Sequence, residues 1–176
     1  MLCVRILFRG GPGSANGKTL DYHHHPHDHS PEEINEFLEQ APYLLNGTRF
    51  AAKLLEQGFD ATGLNLPALA DRFLEDGIES SHNEEHVVKS QAWKVLLPAS
   101  TVWIMIAGKT IYKMCLDDHD ASRNFHSQRV WNERQWELWK EQLGEFENRD
   151  DFDEECRGHV NRARAKMVEV EKILQV

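Results

Sequence analysis

The densest chemistry in the chain lies in one short run, HHHPHDH, which places His23, His24, His25, His27 and His29 around Asp28. Neutral imidazoles ligate zinc, nickel and copper, so this run is the candidate metal site. A resident metal centre also needs a scaffold that orients each ligand and holds its far side. Here the run follows Gly10, Gly11, Pro12, Gly13 and Gly17, a composition that buries little apolar surface to offset ordering. The expectation is metal affinity on an arm rather than a built cofactor site, and no cofactor is expected.

The same arm holds GGPGSANGKT, Gly10 to Thr19. A phosphate-cradling loop needs G-x-x-x-x-G-K-[ST] between a strand and a helix, so that backbone N–H groups curl round the phosphates. Gly17, Lys18 and Thr19 fit, but the first glycine's place is taken by Pro12, which has no N–H to offer. The following LDYHHHPHDH does not read as a helix, so nucleotide binding is not expected. Asp117, Asp118, His119 and Asp120, with His126 nearby, could hold a divalent cation. They lack the ligand spacing and glycine of a calcium loop, and solvated loop carboxylates are the plainer account. No serine sits in a G-x-S-x-G setting. Asp150, Asp151, Asp153, Glu154 and Glu155 crowd a helix start, where the helix dipole favours them. Tryptophans 93, 103, 131, 136 and 139 read as core and helix–helix contacts, with a groove beside Trp131 and Trp136 as the weaker alternative.

The elements that must position these residues are helices. Ser30, Pro31 and Glu33 form a capping box with proline at the first helical position. That helix carries Ile34, Phe37 and Leu38 and is expected to stop before Pro42. A second is expected from about Asn46 to Gln57, with Phe50, Ala51, Leu54 and Leu55 inward and Gly58 as a left-handed cap. Leu66, Leu69, Ala70, Phe73 and Leu74 mark a third, ended by Gly77. Residues 84–116 form one helix or two, with a kink or break expected at Pro98; Val102, Trp103, Ile106, Ile111 and Met114 give it a broad apolar face. Asn132 and Gln135 open a helix bearing Trp136, Trp139, Leu143 and Phe146. The last helix carries Cys156, Val160, Ala163, Met167, Val170 and Leu174 at spacings of 4, 3, 4, 3 and 4, an apolar seam. The expected architecture is all-α: an irregular bundle closed by a C-terminal antiparallel hairpin, with residues 1–29 as a Gly/His-rich arm and 30–176 as one domain.

Composition narrows the function classes. The chain has 176 residues and a net charge of -9, from 20 Lys+Arg against 29 Asp+Glu. That balance repels nucleic acid and anionic lipid, so neither is an expected partner. Cys3, Cys115 and Cys156 are odd in number and widely spaced, which gives no disulfide framework or zinc pattern; Cys115 and Cys156 fall on apolar helix faces and read as buried thiols in a reducing, cytoplasmic setting. The N-terminal run MLCVRILFRGG does not read as a signal peptide. Val95 to Gly108 is apolar but short for a membrane span, and reads as core.

Several segments occur in a distinctive order: NGTRFAAKLLEQG, LPALADRFLEDGIES, STVWIMIAGKTIYKM, WNERQWELWKEQLGEFE and HVNRARAKMVEVEKI. They resemble a fungal family catalogued as domain of unknown function 3632. The resemblance covers about residues 43–173, through Asn46 with Phe50, Trp103 to Tyr112, Trp136 to Lys140, and Ala163 to Met167. It implies an all-α fold and a fungal, intracellular setting, and transfers no catalytic residue. Three functional expectations stand, the third being a metal-binding protein that uses His23 to His29. The first is a non-enzymatic interaction or scaffold protein with a protein partner. The alternative is a small enzyme or accessory protein of fungal specialised metabolism, binding a hydrophobic metabolite in an apolar pocket with His119 or His126 for acid–base chemistry.

Overall fold

The computed structural model describes residues 31–59, 65–79, 87–120 and 130–174. The proposed arm, residues 1–29, lies outside them. Five helices make up the described chain: α1 (Pro31–Glu56), α2 (Leu66–Gly77), α3 (Val87–Leu116), α4 (Glu133–Phe146) and α5 (Glu154–Leu174). A two-residue antiparallel ladder joins His119–Asp120 to Val130–Trp131, with His119 opposite Trp131. The fold is all-α, as the periodicities predict.

Helix α3 is the hub, touching each of the other four helices. Its buried residues go all the way round: Val95, Leu97, Val102, Trp103, Ile104, Ala107, Ile111, Tyr112 and Cys115. A helix apolar on every side belongs in the centre of a bundle. By length and composition Trp93–Leu116 is also apolar enough to cross a membrane, but 72% of that window is buried inside the protein.

The helix boundary expected at Pro42 is absent, and α1 runs unbroken through it. Of the two readings at Pro98 the structure shows one continuous helix, α3. Each proline removes one i→i−4 hydrogen bond. Near Pro98 two hydroxyls lie against carbonyls of the same helix. Thr101 Oγ1 donates to the Pro98 carbonyl at 3.0 Å, and Ser100 Oγ lies 2.7 Å from the Leu96 carbonyl. The carbonyl that Pro98 leaves without its donor belongs to exposed Lys94. Pro42 is itself exposed, away from the packed side of α1. Tertiary packing of a long apolar face outweighs the cost of one proline in each helix.

Ser100 also donates to the Phe73 carbonyl across the α2–α3 contact. The two helices meet there because residue 77 is glycine. A Cβ on Gly77 would sit 2.0 Å from Ser100 Oγ and 2.8 Å from the Leu96 carbonyl oxygen. Gly77 ends α2 as expected, but its reason is close approach, not a left-handed cap. The left-handed cap falls on Gly58, at φ +67, where Phe59 N–H reaches the Leu54 carbonyl at 2.9 Å.

Helices α4 and α5 form the expected antiparallel hairpin. Trp136 pairs with Glu171 at one end, while Gly144 and Glu147 lie against Arg164 toward the other. Five of the six seam residues of α5 are buried, and Leu174 is partly so. The connecting loop is held by aromatic contact: Trp93, Phe146 and Phe152 meet at 5.0–5.6 Å, and the Arg149 guanidinium lies 4.4 Å from the Trp93 ring centre. Asp153 caps α5 by accepting from Cys156 N–H at 2.9 Å.

Candidate functional site: the solvent face of the first helix

The buried polar groups come first, because a catalytic centre would draw on them. Trp131, Trp136 and Trp139 are each 0% exposed. Each donates its indole N–H to a carboxylate: Trp131 to Asp71 at 2.7 Å, Trp136 to Glu171 at 2.8 Å and Trp139 to Glu79 at 2.8 Å. Gln135 Nε2 and Lys140 Nζ reach Glu79 and Glu171, also at 2.8 Å. These bonds staple the 131–140 segment to α2 and α5. The groove beside Trp131 and Trp136 is therefore not what the structure shows; both rings are core. Asn132 caps α4 as predicted, accepting from Gln135 N–H at 3.0 Å, but the Gln135 side chain turns to Glu79 instead of closing the box.

His159 is the buried histidine that sequence patterning passes over, since it sits between seam positions Cys156 and Val160. Its Nδ1 lies 3.3 Å from Thr101 Oγ1. The Thr101 proton goes to the Pro98 carbonyl, so its oxygen is left to accept from an Nδ1–H. Burial holds the imidazole below its ordinary pKa, and the charges of Arg162 and Arg49 add to that against the opposing effect of Glu155. A neutral imidazole bonded to one threonine ties α5 to α3. The described thiols, Cys115 and Cys156, are buried and free, and burial first pushes both up to about 12, which makes thiolate scarce.

The residues singled out for chemistry are distributed as follows. His23, His24, His25, His27 and His29 lie outside the described residues, as do Gly10 to Thr19. Asp117 and Asp118 are exposed, and Asp118 adopts a left-handed φ of 49, which its short polar side chain tolerates in a turn. The backbone of His119 pairs with Trp131, while its side chain and all of His126 lie outside the described set. Among the described residues no three His, Cys, Asp or Glu side chains converge as a metal site would require. Of the acidic run before α5, Asp153 caps the helix, and Asp151 accepts two bonds from Arg149, at 2.9 and 2.8 Å.

What the structure does offer is a surface. Phe50, expected inward, is 65% exposed, and Tyr43 is 73% exposed. Helix α1 turns Leu44, Thr48, Ala51, Ala52 and Leu55 to the core instead. Thr48 makes this phase possible, because its hydroxyl donates to the Leu44 carbonyl at 2.9 Å and so enters the core satisfied. Counting only apolar side chains hides that phase: threonine scores as polar and phenylalanine as core. The unbroken helix through Pro42 puts Tyr43 and Phe50 two turns apart on one side, and Phe59 lies exposed just beyond the Gly58 cap. Tyr43, Phe50 and Phe59 are the three most exposed large hydrophobic side chains among the described residues.

No curated protein and no solved structure matches the chain. A family model does match, over residues 20–143, more than two thirds of the sequence. It begins well before the Asn46 segment and ends within α4, so the match takes in all of α1, and α5 falls outside it. The chain belongs to the family described as protein of unknown function (DUF3632).

Proposed function

We propose that this protein is a non-enzymatic interaction protein, and that the solvent face of α1 is its binding surface. The observation that carries the reading is the pair of aromatics, Tyr43 and Phe50, left in solvent on a helix whose other side is fully used by the core. The described buried polar groups support it from the other direction. The carboxylates bonded to Trp131, Trp136 and Trp139 and the Thr101–His159 pair each tie one element to another, and the two thiols are buried. A fungal, cytoplasmic setting belongs to the same proposal; two buried, unpaired cysteines suit a reducing compartment.

A photo-crosslinking amino acid placed at position 50 tests the reading in cells of the native host, with position 141 on α4 as an exposed control. The expected result is a discrete adduct from position 50 and none from position 141. Equal, diffuse labelling from both positions would remove the basis for an interaction surface on α1.

A further inference from the structure

The exposed side of α1 carries a finer pattern than two aromatics. Glu39, Tyr43, Asn46, Phe50, Lys53 and Gln57 follow at steps of four, three, four, three and four residues, and all six are exposed. Alternating steps of four and three keep these residues on one face of the helix. At about 100° per residue the stripe lies opposite the buried set centred on Ala51 and Leu55. From Glu39 to Lys53 its chemistry runs acid, aromatic, amide, aromatic, base, so the reversed order keeps an aromatic at each inner place and presents the opposite charge at each end.

We propose that α1 pairs with α1 of a second copy of this chain, antiparallel, about a two-fold axis beside Asn46 and Gly47. A two-fold contact requires a patch complementary to itself. Turned end for end about that axis, Tyr43 meets Phe50 of the second copy, and Glu39 meets its Lys53. Asn46 and Gly47 lie at the crossing, where small side chains let two helices approach. Within one helix Glu39 and Lys53 are about 21 Å apart, too far to pair with each other. Their opposite charges are complementary only to something that presents the reverse order, and a second copy does so by symmetry. A surface for an unrelated partner has no reason to complement its own reverse.

The pairing is weak. An aromatic side chain buries about 150–250 Å², so two per copy fall well short of the roughly 800 Å² per partner of a standard interface. The protomer charge of -9 opposes association as well. Near physiological salt, where the screening length is about 8 Å, that long-range repulsion is damped while close pairs persist.

This inference rests on the reading of α1 as an interaction surface, and the experiment separates the two. Sedimentation equilibrium of the full chain, from about 10 μM to 1 mM, reads self-association directly. The wild type is expected to move toward twice its monomer mass as concentration rises. Phe50→Ala should weaken association by at least about tenfold, as removal of a central aromatic does. Glu39→Lys and Lys53→Glu should each weaken it alone, by placing like charges across the axis. Mixed one to one, these two variants should associate again, because each then meets its complement. All three substituted residues are exposed, and circular dichroism checks that each variant folds. A monomer throughout, or an association that none of these changes moves, overturns self-pairing. If the chain stays monomeric while the position-50 crosslinker captures a different protein, the second copy is wrong and the interaction surface stands. If neither appears, both fall.

Discussion

The C-terminal hairpin and α1 treat aromatic residues in opposite ways. In the 131–139 segment, three indoles are sealed in the core and each N–H is given a carboxylate. On α1, a tyrosine and a phenylalanine remain in water while a threonine goes inward. The hairpin invests its aromatic surface in the fold; α1 leaves its own unspent. Residue type therefore says little about role in this protein. For Thr48 and three of the tryptophans, a partner inside satisfies the polar end of the side chain, whereas Trp103 is buried with its indole N–H unpartnered among the described residues. Thr48 finds the Leu44 carbonyl one turn back, and those three tryptophans find Asp71, Glu79 and Glu171 across helices.

The largest effect that tests this contrast is Trp136→Ala. It should cost about 3–5 kcal/mol in urea unfolding, against less than about 0.5 kcal/mol for Phe50→Ala in the monomer. Similar losses at both positions would abolish the distinction. Next comes Gly77→Ala, expected to cost about 1–3 kcal/mol through overpacking against Ser100. Asp71→Leu sharpens the role of the carboxylates: with the Trp131 indole left without its acceptor, a loss of about 1–3 kcal/mol is expected. Asp71→Asn, which keeps an oxygen in place, should cost less. Removing the α5 cap with Asp153→Ala should cost about 0.5–2 kcal/mol. The Asp153 carboxyl is held below its ordinary 3.8, first by the Cys156 backbone N–H. Its contribution is therefore present above that value and fades as pH falls through it, so the variant's deficit should shrink in acid.

The smallest effect is a slope. His159 sits below its ordinary 6.5 in the folded chain, so the unfolded chain takes up its proton first. Its contribution is complete above pH 6.5 and is lost as pH falls toward the folded value. Stability measured at closely spaced pH values should decline across that window, and His159→Leu should flatten the decline. An unchanged slope in the variant would place the titrating group elsewhere.

Much of the fold is legible in the sequence because apolar spacing survives into the structure. The stripe from Leu66 to Leu74, the Trp136 to Phe146 set and the α5 seam all land in the core. Pro42 misleads, and Pro98 leaves two readings open, because a helix boundary is a balance. Local rules count the lost hydrogen bond, while packing of a 30-residue hub helix weighs on the other side. The candidate surface is hidden for a related reason. With a break assigned at Pro42, Tyr43 falls in a linker and cannot be seen to share a face with Phe50. Gly77 and His159 depend on a neighbour far away in sequence, Ser100 and Thr101, and no local pattern announces such a partner.

The tryptophan cluster also gives the protein a built-in optical reporter. Trp131 and Trp139 meet edge to face at 5.8 Å, and Trp136 and Trp139 at 6.5 Å. Indoles so close and so fixed couple their electronic transitions, and should produce an intense near-ultraviolet circular dichroism band that vanishes when α4 undocks. No tryptophan lies on α1. That band therefore watches one half of the molecule and is blind to the other, where the signal to follow is the phenol of Tyr43.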